Sequence, residues 1–188
     1  MCNQGVVPIV LAHARALFTG TAAGRTAYLD ADLRDPEAIL ASAELRGILD
    51  LTRPVALSLI AILHFFPDAD DPAAIVRRLT DALPAGSFLI ISHGTGDIAP
   101  EATRRVAGVY NQRGIPFRTR SRAEVTALVP PGLELAEPGL GLLHRWRPDT
   151  DPQQWADEDI SAYALVARKP QPDSSFARGS PGRRSVSR

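Results

Sequence analysis

The sequence is poor in cysteine, lysine and aromatic rings, and each shortage closes off a class of protein. Cys2 is the only cysteine among 188 residues, so no intramolecular disulfide can form and no cysteine-rich metal site can be assembled. Of the 21 basic residues only Lys169 is a lysine, a bias that points to the codon composition of the source genome rather than to arginine chemistry. No apolar run approaches the roughly 20 residues that a membrane-spanning helix needs, and no leader pattern opens the chain. The expectation is therefore a cytoplasmic protein without membrane attachment. An excess of one charge is lacking too. The last 18 residues carry four arginines against one aspartate, a net of +3, which leaves −3 on residues 1–170 and gives no sign of a nucleic-acid binder.

What is present is enough apolar material, 45% of the residues, for one domain with a core of its own. Its densest part is Val55 to Leu63, bracketed by Pro54 and Pro67. A short run apolar on both faces predicts a buried strand of a parallel sheet with helices above and below. Ligands of such sheets sit beyond the carboxyl ends of the strands, which places His64, Phe65 and Phe66 where a small-molecule site is expected.

Around that strand the chain reads as alternating elements. Apolar positions at helical spacing from Val10 to Phe18 predict an opening helix, and Thr26 to Ala31 a short strand. Asp35-Pro36 and Asp71-Pro72 each combine an N-cap with proline at the first helical position. They predict helices over Pro36 to Ser42 and along the face Ile75, Val76, Leu79, Ala82 and Leu83. Ser87 to Ser92 reads as the next strand, so strand, helix and strand form a right-handed crossover unit. Pro100 to Arg113 is a further predicted helix, and Ser121-Arg-Ala-Glu124 is a capping box. Leu133 to Ala136, part of Gly139 to Trp146, and Ile160 to Ala167 are candidate strands, with a polar loop over Pro148 to Asp159. The Ser, Pro, Gly and Arg of residues 171–188 predict a disordered tail after a domain spanning 1–170.

Several chemistries compete for this frame. The four histidines, His13, His64, His93 and His144, lack the close pairing of a metal-binding helix, so no metal site is expected. His64 and His93 both follow predicted strands and would face one cleft, unless each merely bonds a carbonyl at a strand end. Asp68-Ala-Asp70-Asp71 resembles the acidic triplet with which many sugar-nucleotide transferases hold a divalent cation; a helix cap and a solvated turn explain it equally. No Gly-x-Ser-x-Gly occurs, and His93-Gly-Thr-Gly96 does not supply a dinucleotide fingerprint. Asp30-Ala-Asp32 ends a strand, where a carboxylate can accept hydrogen bonds from an exocyclic amine or a hydroxyl. Asp35 serves as the cap and leaves Asp32 free for that role.

Seven segments in one order carry a family resemblance. Pro8 to Leu17, Asp30 to Leu40, Arg53 to Leu57, Leu63-His-Phe-Phe-Pro-Asp68, Leu83 to Ser87, Ser121 to Val125 and Arg145-Trp-Arg-Pro148 resemble the bacterial S-adenosyl-methionine-dependent methyltransferase family first catalogued as a domain of unknown function. The resemblance covers about residues 7–170. It implies an α/β class I methyltransferase fold, a Rossmann-like sheet with a terminal antiparallel strand, and S-adenosyl-L-methionine as cofactor, with an unknown methyl acceptor. By that similarity Asp32 and Leu33 would contact the adenine, while Ala61, Ile62 and His64 would line the methionine side. It also implies a glycine-rich loop after a first strand and an acidic residue ending a second, and this sequence starts after both. On that reading the fold is incomplete, cofactor binding is impaired, and exposed strand edges invite a homo-oligomer or a complementary chain. The alternative is a non-catalytic remnant or assembly partner.

Overall fold

Local capping chemistry starts the helices where the sequence predicts. In the computed structural model, which describes residues 24–149 and 155–171 together with Ala12 and Ala16, the Asp35 carboxylate accepts from Ala38 N at 3.0 Å and Pro36 opens α1 (Pro36–Ala41). Ser42 ends that helix, and its Oγ accepts from Leu45 N to cap the short α2 (Ala43–Arg46). The helix predicted over Val10 to Phe18 lies outside the described residues except for Ala12 and Ala16, both helical.

Thr26 to Ala31 differs from expectation, because it is irregular rather than a strand. Strand geometry persists only where a neighbouring segment completes the ladder, and among the described residues none pairs with this one. Thr26, Ala27 and Leu29 instead line an open, mostly apolar groove of about 400 Å³ with Ile39, Leu45, Ile48 and Leu49.

The central strand, β1 (Ala56–Ile60), is shorter than predicted. It stops because Ala61 turns into the left-handed region at φ 51°. It is not buried on both faces either: Leu59 is buried, but Ile60 is 55% exposed. Asp71 Oδ1 accepts from Ala74 N at 3.1 Å to cap α3 (Pro72–Asp81), whose Ile75, Val76 and Leu79 are buried. Each such side chain contributes roughly 1.5–3 kcal/mol. Ala82, predicted on that face, is exposed. At Pro84-Ala-Gly86, Gly86 takes φ 86° and leads into β2 (Phe88–Gly94). Strands β1 and β2 are parallel, with Leu57 beside Leu89 and Leu59 beside Ile91, so β1, α3 and β2 form the expected crossover unit.

Helix α4 (Pro100–Gln112) follows, and the Ser121–Glu124 capping box forms at the start of α5 (Arg122–Thr126). The two-residue strands β3 (Glu134–Leu135) and β4 (Gly141–Leu142) both pair antiparallel with β5 (Ala162–Arg168), which itself lies antiparallel to β2. The sheet order is β1, β2, β5, β3, with β4 also on β5. An antiparallel strand ending a parallel pair is what the family resemblance implied. The core gathers Leu59, Leu63, Val76, Leu89, Ile91, Val125, Leu128, Tyr163 and Leu165. Lys169 ties the end of β5 to the end of α3, its Nζ donating to the carbonyls of Thr80, Asp81 and Leu83 at 3.0, 3.3 and 2.7 Å. Among the described residues no helix is long and apolar enough to cross a membrane.

Candidate functional site

The carboxyl ends of β1 and β2 lie side by side in a parallel pair, so whatever follows each strand meets there. After β1 the chain turns sharply at Ala61, where Ser92 at the level of the strand end fixes it: Ala61 N donates to Ser92 Oγ at 2.9 Å and to Ser92 O at 3.3 Å. A non-glycine residue held in this region costs of order 1–3 kcal/mol, and such positions cluster at functional sites. The turn continues as a single 3₁₀ turn, Leu63–Phe65. It leaves Ala61 and Ile62 exposed and Leu63 and His64 buried.

The turn brings His64 and His93 together, as their positions after adjacent strands predicted. Their rings meet edge-on with centroids 5.7 Å apart. His64 also packs against Phe65 and Phe117, at 4.5 and 4.7 Å, and Phe117 stacks on Tyr110 of α4 at 5.0 Å. Phe117 and His64 roof the end of β2: a methyl group on Gly94 would touch Phe117 Cζ at 3.7 Å and His64 Nδ1 at 3.8 Å. His64 Nδ1 is buried without a hydrogen-bond partner. Burial, and then the positive charge of Arg120, hold the His64 pKa below its ordinary value, so the ring is neutral at pH 7. A histidine that serves as a base is ordinarily oriented by a bond at its other nitrogen, and Nδ1 here has none.

His93 behaves differently. Its Nδ1 lies 2.8 Å from Gly94 O and its Nε2 3.0 Å from a terminal nitrogen of Arg120. A carbonyl accepts and a guanidinium only donates, which assigns the proton to Nδ1 and the lone pair to Nε2. Burial pushes the His93 pKa down to about 4, the charge of Arg120 adding to it against the opposing bond to Gly94.

The acidic triplet is engaged in structure. Asp68 accepts from Arg120 at 2.8 Å and pairs with Arg118 at 2.9 Å, Asp70 pairs with Arg34 at 3.0 Å, and Asp71 caps α3. Among the described residues no group of three potential ligands could hold a metal ion. Asp32 is exposed and paired with Arg34 at 3.2 Å, and the Arg34 guanidinium lies 5.0 Å from the centre of the Phe66 ring. Leu33 packs against both core clusters. Ala61, Ile62 and His64 thus belong to the turn that leaves β1, and Asp32 is linked through Arg34 to Phe66 at the end of that turn.

Residues 6–170 match the family model described as S-adenosyl methyltransferase. The chain belongs to that family. A DUF574 family protein of Streptomyces avermitilis is 51% identical over 87% of this chain and 62% of its own, with a TM-score of 0.83. A methyltransferase candidate from Thermobifida fusca is 31% identical over 87% of this chain and 60% of its own, with a TM-score of 0.75. The chain thus spans less than two thirds of the length of both relatives. No curated protein matches it. Its sheet is Rossmann-like, as in these relatives. The strongest polar centre at the strand ends, Arg120, has no signal in the sequence beyond being a basic residue one place before a capping box.

Proposed function

We propose that the chain transfers a methyl group from S-adenosyl-L-methionine to a still undefined acceptor, and that the cofactor lies across the turn leaving β1. The observation that carries this reading is the exposed turn at Ala61 and Ile62, at the carboxyl end of β1 and inside the matched segment. The residues fit one flank of such a cofactor. Asp32 offers an exposed carboxylate to the adenine amine or a ribose hydroxyl, Leu33 and Ile62 offer apolar surface to the base and thioether, and Ala61 and His64 border the methionine end. When bound, the cofactor supplies an electrophilic methyl group on a sulfonium. The chain's own part is positioning, which alone can account for a large share of the rate of a displacement, and no side chain is assigned as a base. The domain is placed at residues 1–170, with 171–188 as a tail.

Calorimetric titration with S-adenosyl-L-methionine tests the reading. Binding is expected for this chain, and the S. avermitilis relative serves as the second protein to be titrated. Asp32→Ala should lower affinity by about tenfold, the effect of losing a charged hydrogen-bond partner. Absence of binding by both proteins would overturn it. A second reading, an assembly partner docking through β1, is favoured by the exposure of Ile60 on a strand whose outer edge has no partner among the described residues. Sedimentation separates the two, since a folded monomer that binds the cofactor leaves no role for a docked chain.

A further inference from the structure

We infer that Arg120, docked on Nε2 of His93, is the positioning residue for the turn Ala61–Phe66; its consequence for the cofactor rests on the reading above. The Arg120 side chain is almost wholly buried, and each contact of its terminal nitrogens has a definite target. One nitrogen donates to Leu63 O at 3.2 Å and to His93 Nε2 at 3.0 Å, and the other donates to Phe66 O at 3.0 Å and to Asp68 Oδ1 at 2.8 Å. Two of the four acceptors, Leu63 O and Phe66 O, belong to the turn that carries the proposed cofactor contacts, and Asp68 follows it directly. The backbone reinforces the grip, since Arg120 N donates to Gly94 O at 3.2 Å and Arg118 N donates to His64 O at 2.8 Å. Residues 118–120 are therefore a strap that holds the carbonyls of Leu63, His64 and Phe66 against the end of β2.

The planar fork is what the geometry demands. Two nitrogens in one plane serve four acceptors at fixed angles, which an ammonium on a flexible stem cannot reproduce. His93 is the fixed end. With its Nδ1 proton committed to Gly94 O, its Nε2 presents a lone pair at the carboxyl end of β2, and the guanidinium is oriented from there toward the turn. Without that lone pair one buried Arg120 N–H loses its acceptor, a loss that is costly in the interior.

The experiment compares the wild-type chain with Arg120→Lys, His93→Leu and His93→Gln by amide hydrogen exchange and by calorimetry with S-adenosyl-L-methionine. In Arg120→Lys and His93→Leu, the amides of Phe65, Phe66 and Arg118 should exchange on the order of tenfold faster, while those of Ile91 and Leu165 keep their protection. Cofactor affinity should fall by a similar factor. His93→Gln, whose Oε1 can accept from Arg120 where Nε2 does, should restore both. Exchange that is unchanged, or faster evenly through β2 and β5, overturns the inference. If neither the wild-type chain nor the S. avermitilis relative binds the cofactor, the methyltransferase reading falls instead, and the exchange pattern still decides the clamp.

Discussion

Strands β1 and β2 are neighbours of similar composition with opposite fates. In β2, Leu89 and Ile91 are fully buried, because β1 lies along one edge, β5 along the other, and the core fills the face they share. In β1 only Leu59 reaches that condition, and Ile60 is left more than half exposed. The difference shows that an apolar run reports the burial a strand is suited to, while its neighbours decide the burial it receives. Among the described residues β1 has the composition of an inner strand in an edge position, the arrangement that invites another strand.

Four measurements would break or sharpen that contrast. The largest effect is expected in β2, where Ile91→Ala should cost about 4 kcal/mol by urea unfolding, within the range for emptying a packed site. A loss under 1 kcal/mol would mean that the β2 core is no tighter than the edge. Acid comes next. The folded pKa of His93 lies at about 4 against the ordinary 6.5, so above pH 6.5 this group has no effect on stability. As the pH falls from 6.5 to about 4 the unfolded chain takes the proton first and stability drops, on the order of 3 kcal/mol in all. In His93→Gln the slope of unfolding free energy over that interval should be shallower, with the part due to His64 remaining. On the β1 side, Asp35→Ala removes the cap of α1 and should cost about 1 kcal/mol. Smallest of all, Ile60→Lys should change stability by no more than about 0.5 kcal/mol. Its visible result should be less self-association in sedimentation, and unchanged association would show that the β1 edge is not a contact surface.

The sequence revealed features whose causes are local. Asp35-Pro36, Asp71-Pro72 and Ser121-x-x-Glu124 carry their caps within three residues, and all three helices begin where predicted. Thr26 to Ala31 has the composition of a strand but joins no ladder of the sheet among the described residues, and no pattern within six residues reveals whether a ladder forms. The end of β1 was placed too late because the left-handed turn falls on alanine, which gives no warning, where glycine would have. At the site, the meeting of His64 and His93 followed from their places after adjacent strands. Arg120 was missed because its partners lie 27 to 57 residues away in the chain, a relation that only the folded backbone creates.

The contacts of Lys169 explain why one lysine persists in a chain where arginine fills the other 20 basic positions. Three carbonyls at the end of a helix converge on one point, and a tetrahedral –NH₃⁺ can send one proton to each, whereas a flat guanidinium spreads its donors outward. The same nitrogen is the only lysine amine in the sequence, so losing its charge would also unfasten the end of α3 from the end of β5.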